Sequence, residues 1–540
     1  MDRITCFIAT DDEATALHLS DNPLVDAVYY RADVRSSEAV QFIAANATGA
    51  YTMVYTKPTR LRWVHYALHR LLQIASDTGA ALIYSDHFKI VDGEEQQAPV
   101  IDYQPGSLRD DFDFGSVLVF RTDALKKAVA GMDSNRHQAI AEREQGGLSQ
   151  IASAERQGLG QSPSIIQRPS ATVSGSDSNR HQAIAEAEQG GVRDSKAGAA
   201  GFGAEPQYYK YAGLYDLRLR VSRLGPVVHV NEFLYYDIEL DSRRFGEKLF
   251  DYVNPRNREV QIEMEAACTE HLKAIGGYLA PVFKEVDLNS EAFEYEASVV
   301  IPCRNRARTI ADAIRSALNQ ETTFKYNVIV VDDNSTDGAA EIIQQLAAEN
   351  PDKMVYIAQD KTYHAIGGNW NAALHHPKCG KFALQLDSDD VYSGPDTVQK
   401  FVNAFYEQNC AMVIGSYQIT DIALKPADMA PIEHREWTPD NGRNNALRIN
   451  GLGAPRGFYT PLVRQMTFPT TKYGEDYAVA LRISRDYRIG RIYDVMYFCR
   501  RWEGNSDASL DTATANRYNT YKDRIRTWEL EARIAKNNAR

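Results

Sequence analysis

The chain has 540 residues, 44% hydrophobic and 24% charged, with a formal net charge of −12. That length exceeds what one ordinary core uses, so two or more domains are expected. The acidity argues against a broad nucleic-acid footprint, no apolar run approaches bilayer-crossing length, and six scattered cysteines without a C-x-x-C pair exclude a disulfide framework or zinc knuckle.

The opening residues, MDRITCFIATDDE, are acidic where a secretory leader would be apolar. The expected location is therefore cytoplasmic, with the inner face of the membrane as an alternative. Apolar, β-branched runs at Ile4 to Ala9, Ala81 to Tyr84 and Ser116 to Phe120 make residues 1–240 an α/β unit. Within it, 133–205 is rich in Gln, Ser, Gly and Ala and carries a duplication, DSNRHQAIAEREQGG from Asp133 and DSNRHQAIAEAEQGG from Asp177. Two copies are too few for a solenoid, and the composition suits a flexible surface insertion. Residues 241–293 form a connector, helical from Arg256 to Ile275, where Val260, Met264, Ala267 and Leu272 share a face.

The clearest periodicity lies in 294–506. Strands are predicted over Glu296 to Ile301, ending at Pro302, then Val328 to Val331, Met354 to Ala358 and Lys381 to Leu386. Helical patterns separate them, one of them opening after Gly367-Gly368. Alternation of this kind implies a mostly parallel sheet with helices on both faces, whose ligands gather at the strands' carboxyl ends. The polar clusters sit at those ends. The remaining 507–540 form a charged helical tail.

Asp387-Ser388-Asp389 is delivered by a hydrophobic strand. Clustered carboxylates need a cation or solvent, and a hard ion such as Mn²⁺ or Mg²⁺ that bridges to phosphates fits them. A solvated acidic turn would read the same in isolation; the companions tip the balance. Asp333 closes the second strand, where a carboxylate could accept the imide N–H of uracil or merely help begin a helix. Gly367-Gly368-Asn369-Trp370-Asn371 would let a backbone approach an anion at a helix start. Glu475-Asp476 opens a later helix, where a carboxylate could deprotonate a hydroxyl or simply favour the helix dipole. Arg500-Arg501 in a late loop could hold a diphosphate.

In order, SVVIPCRNRARTI, VIVVDDNSTDG, GGNWNAAL, FALQLDSDDVY and YGEDYAVALRIS resemble the family 2 glycosyltransferases of the GT-A fold, over about 296 to 506. The resemblance implies inverting transfer of a sugar from a nucleotide-sugar, UDP-linked by family habit, to a hydroxyl on a glycan or lipid-linked acceptor, in cell-surface polysaccharide synthesis. It places Pro302 and Asp333 at the base, and Asn371 and Arg501 elsewhere on the donor. Asp387 and Asp389 become the metal acids, Asp389 the more direct ligand. Asp476 becomes the catalytic base, with Glu475 shaping the acceptor side. Many relatives carry a histidine where this chain has Trp502, so Glu503 or a water is expected to substitute. A non-catalytic glycan-binding scaffold is the alternative, and a nucleotidyltransferase a weaker third reading. Peripheral membrane association and homo-oligomerisation stay open.

The first half also resembles the family. AGLYDLRLRVSRLG, from Ala212, aligns with YGEDYAVALRISRD, so Gly213-Leu214 stands where the second half has Glu475-Asp476. TMVYTKPTRL, from Thr52, aligns with the strand entering the acidic triplet but brings Thr56-Lys57-Pro58-Thr59, and Tyr84-Ser85-Asp86, at the end of the next strand, replaces it poorly. A second, degenerate GT-A-like domain is expected in tandem with the first.

Overall fold

A computed structural model describes residues 2–132, 208–241, 254–505 and 510–539; most of the connector's start and the whole duplicated insertion lie outside them. Two sheets dominate. The first comprises β1 (Ile4–Ile8), β2 (Val25–Tyr30), β3 (Tyr51–Tyr55), β4 (Arg62–Trp63), β5 (Leu82–Val91), β6 (Glu94–Ala98), β7 (Val117–Arg121) and β8 (Val227–Ile238). Its order is β2-β1-β3-β7-β5-β8-β4, with β6 paired to β5. The second comprises β9 (Ala297–Cys303), β10 (Tyr326–Asp332), β11 (Met354–Ala358), β12 (Phe382–Gln385), β13 (Val391–Tyr392), β14 (Met412–Thr420), β15 (Arg456–Tyr459) and β16 (Ile489–Arg500), ordered β11-β10-β9-β12-β15-β14-β16-β13.

Laid side by side, β2-β1-β3-β7-β5-β8-β4 matches β10-β9-β12-β15-β14-β16-β13, and every neighbouring pair has the same direction in both. Even the two register shifts along β5–β8 recur along β14–β16. The protein is thus a tandem of two α/β units of one topology. Each sheet is more mixed than alternation alone implied: β15 runs antiparallel to both neighbours.

The apolar runs become the fully buried strands. β9, β10 and β12 are buried at every position, as expected for central strands covered on both faces. β9 continues through Pro302 to Cys303, beyond the predicted end. There it pairs only with β10, because its ladder to β12 stops at Val300, and the missing proline N–H is tolerated past that point. β5 likewise runs straight through Asp86, which is no loop residue: its carboxylate accepts from the Val100 amide at 2.8 Å and pairs with His229 at 2.9 Å.

The connector helix, Arg258–Ala274, and the C-terminal helix, Thr512–Asn538, lie where the sequence put helices. The latter ties the halves together. Asp523, fully buried, accepts from Ser107 Oγ at 2.9 Å, Arg109 Nε at 3.1 Å and its helix neighbour Arg526 Nη1 at 2.8 Å. Gly106 abuts the helix so tightly that a Cβ there would lie 2.2 Å from the Thr527 amide nitrogen. Among the described residues no helix is long and apolar enough to cross a membrane.

Candidate active site

A cleft of about 390 Å³ opens at the carboxyl ends of β9 and β12. Pro302, Asp387, Asp389, Glu475, Asp476 and Arg501 all line it, so the acids of two loops some 90 residues apart in sequence face one cavity. Asp333 does not line it; it sits beside Pro302 at the neighbouring strand end, buried, with Arg304 Nη1 3.4 Å from its carboxylate.

Three sequence expectations change here. Gly367 and Gly368 lie inside the helix Ala365–His375 rather than before it. Gly367 is required because a Cβ would meet the Pro469 carbonyl oxygen at 1.8 Å, so the close approach serves a protein loop and not an anion. Asn371 does not line the cleft: its amide accepts from the Phe468 amide and donates to the Phe468 carbonyl, both at 2.8 Å, which pins the loop before the Glu475 helix. Nor does Glu503 reach the metal acids. It is exposed and pairs with Arg308 at 2.8 Å, whose guanidinium lies over Trp502. Asn505 takes the place, donating to Asp389 Oδ2 at 3.1 Å.

The acidic triplet is held from several sides. The Asp387 amide donates to Tyr497 Oη at 3.1 Å, and Gln385 Nε2 donates to Asp387 Oδ1 at 2.9 Å. Asp390, buried, accepts from the Arg500 amide at 2.7 Å, while the Arg500 guanidinium bonds the Asp389 carbonyl. Arg306 Nε lies 3.4 Å from Asp389 Oδ2. Burial raises the Asp387 carboxyl, and Asp389 pushes it further; Asp390 is driven well up by burial and both neighbours. Among the described residues no three His, Cys, Asp or Glu side chains form a ready-made metal cage. Asp387 and Asp389, two carboxylates on one loop, are nonetheless of the donor type that a Mn²⁺ or Mg²⁺ ion takes when phosphates complete its shell.

Glu475 and Asp476 open the helix Glu475–Asp486 after Gly474, whose φ of 84° allows the tight entry. Asp476 Oδ2 pairs with Arg456 Nη2 at 2.5 Å, and Arg456 also donates to Gln385 Oε1 at 2.8 Å, linking Asp476 to the strand that leads into Asp387 and Asp389. Glu475 is buried, and burial together with the Asp476 charge raises its carboxyl. Of the pair, then, Asp476 carries the arginine-held carboxylate and Glu475 is held as the neutral acid.

Sequence reading missed Arg456, Asn505, Lys472 and two residues of the C-terminal helix, Tyr518 and Lys522, all of which line the cleft.

The first half carries other residues at the matching positions. Tyr235 and Tyr497 each pair with the last residue of a short strand, Trp63 and Tyr392, which fixes the correspondence. The matching ladders put Thr56 and Pro58 at the positions of Asp387 and Asp389, with Lys57 between them, its ammonium 2.9 Å from the fully buried Asp237. At the level of Glu475 stands Gly213, where a Cβ would lie 2.3 Å from the Ser37 amide nitrogen. No carboxylate stands at these three positions, and an ion pair and a backbone contact lie there instead.

Residues 298–459 match the sequence profile described as glycosyl transferase family 2. An uncharacterized glycosyltransferase of Nostoc sp., alr2836, is 33% identical over 143 residues, 26% of this chain and 43% of that protein. A poly(ribitol-phosphate) beta-glucosyltransferase of Bacillus spizizenii is 26% identical over 211 residues, 38% of this chain and 32% of its own length. The chain thus spans less than half of either. The crystal structure of S. aureus TarS 1-349 in complex with UDP-GlcNAc is similar at 21% identity and a TM-score of 0.34, covering 40% of this chain and 61% of that one.

Proposed function

We propose that the second half transfers a sugar, with inversion, from a nucleotide-sugar to a hydroxyl acceptor, in the synthesis of a cell-surface polysaccharide. The observation that carries this reading is the single cleft shared by Asp387, Asp389 and Asp476. In the reaction the acceptor oxygen bonds to the anomeric carbon from one face while the bond to the diphosphate oxygen breaks on the other. The hydroxyl proton passes to the Asp476 carboxylate, which Arg456 orients. Asp387 and Asp389 would hold Mn²⁺ or Mg²⁺, and the ion, when bound, supplies charge to the departing diphosphate. Arg501 and Arg306 add positive charge on that side of the cleft. Pro302 and Asp333 would receive the base, uridine first among those to be tried. Glu475, neutral, offers a hydrogen bond to a sugar or acceptor hydroxyl instead of competing for the proton.

The first half is proposed to be a non-catalytic scaffold, on the strength of Thr56, Pro58 and Gly213 where the second half has Asp387, Asp389 and Glu475. The test is a screen of the purified chain against nucleotide-sugars with Mn²⁺, following release of nucleoside diphosphate with and without neutral and charged acceptors. Release from one donor, abolished in Asp476→Asn, is expected. Donor binding with no turnover under any condition would favour the scaffold reading for the whole chain.

A further inference from the structure

Lys522 is a buried cation with no carboxylate in ion-pair contact among the described residues. The side chain sits on the wall of the cleft, yet the residue is only 6% exposed. Its ammonium donates to the Asn450 carbonyl at 2.6 Å and lies over the Tyr473 ring at 4.3 Å and the Tyr477 ring at 5.7 Å. Among the described residues no carboxylate forms an ion pair with it: Asp476, the nearest in influence, is engaged by Arg456. One carbonyl and two ring faces are poor compensation for an ammonium removed from water. Burial accordingly pulls its pKa down to about 8.

The surroundings are built, not incidental. Tyr518, one turn earlier on the same helix, stacks on Tyr473 with ring centroids 4.5 Å apart and planes 11° from parallel, and both line the cleft. The next residue, Asp523, is the one locked to Ser107 and Arg109 of the first half. The helix cannot slide without breaking that buried cluster, so the position of Lys522 is set from both halves. The side of the cleft also matters. The donor diphosphate belongs with Asp387, Asp389 and Arg501, whereas Lys522 stands with Asp476 and Glu475, where the acceptor enters.

We propose that Lys522, with Tyr473 and Tyr518, forms an acceptor subsite for an anionic group, a phosphodiester or a uronate carboxylate, carried by the growing chain next to the reacting hydroxyl. This rests on the glycosyl-transfer reading above. The anion completes the ion pair that the protein leaves open, and the tyrosine faces take the apolar side of a sugar or polyol. A neutral acceptor would leave the ammonium unpaired, so the same feature selects against it.

The test fills the donor end first. With UDP and Mn²⁺ saturating, the whole chain is titrated in a calorimeter with sn-glycerol 3-phosphate against glycerol, and with glucuronate against glucose. At least one anion is expected to bind about tenfold or more tighter than its neutral partner, and the two arms tell phosphate from carboxylate. Lys522→Met should bring that preference below about threefold and Lys522→Arg should keep most of it; if Lys522→Met does not fold, Lys522→Gln carries the same expectation. Absence of any anion preference in the natural chain, or its survival in Lys522→Met, overturns the proposal. The preceding UDP–Mn²⁺ titration is read separately: its failure counts against the transferase reading, not against the anion subsite.

Discussion

Replacing Asp523 by alanine should cost more than any surface change on the same helix. The carboxylate is fully buried and accepts three hydrogen bonds, two of them from guanidinium groups that are themselves buried. Arg109 would keep Asp111 at 2.6 Å, but Arg526 would be left with only neutral partners, Tyr477 Oη, the Ile449 carbonyl and Asn450. Breaking a buried pair from one side typically costs about 3–5 kcal/mol. For a cooperative unit of several hundred residues, whose unfolding entropy is on the order of 1 kcal/mol/K, that is a fall in melting temperature of about 3–5 °C. Asp511→Ala, at the exposed N-cap of the same helix, removes an acceptor for the Thr514 amide and should lower the melting temperature far less. Scanning calorimetry on both variants separates the two. If Asp523→Ala melts within a degree of the natural chain, the halves are not coupled through this helix, and the argument that the first half positions Lys522 fails with it.

Asp389→Ala should abolish Mn²⁺-dependent binding of UDP, since Asp387 alone would be left to anchor the ion; equal affinity by calorimetry with and without the substitution would remove it from the metal site. Asp476→Asn should leave nucleotide affinity unchanged and lower turnover by on the order of a hundredfold or more, as loss of a general base does. A variant with full turnover would require another proton acceptor. Glu475→Gln should change the pH dependence of stability. The folded-state pKa of Glu475 lies above its ordinary 4.5, so the stability it contributes is complete below that value and is lost as pH rises through the raised one. Melting curves of the natural chain should therefore decline relative to the glutamine variant from about pH 4.5 upward, and parallel curves would show that Glu475 is not buried as a neutral acid.

The parts of the site that were legible in the sequence are those that lie within a few residues of an apolar strand. Asp387 and Asp389 follow β12, Pro302 lies in β9, and Asp476 sits in a helix start marked by glycine. The parts that were not legible depend on contacts between distant segments. Arg456 reads as an ordinary strand residue until β15 inserts beside β12 and brings its guanidinium to Asp476. Asn371 looked like a donor ligand because nothing local shows that Phe468, 97 residues on, consumes its amide. Asn505 carries less sequence signal than Glu503, yet the loop turns it inward and leaves the charged residue in water. The tandem was legible for a different reason: its register rests on two aligned segments that keep the same strand order, even though their chemistry has been replaced.

The wall contributed by Tyr518 and Lys522 bears on how this enzyme could be recombined with others. The segment that matches the family, 298–459, contains Asp387, Asp389 and Arg456 but stops short of Asp476, the late loop and the long terminal helix. Transplanting that segment into a foreign scaffold would carry a donor pocket with no proton acceptor and no lysine. Extending the graft to residue 505 would restore the acceptor of the proton while stripping Tyr473 of its stacking partner. Only a graft that also brings the terminal helix, and the Ser107–Arg109 strip that grips it, would be expected to retain the choice of what the sugar is attached to.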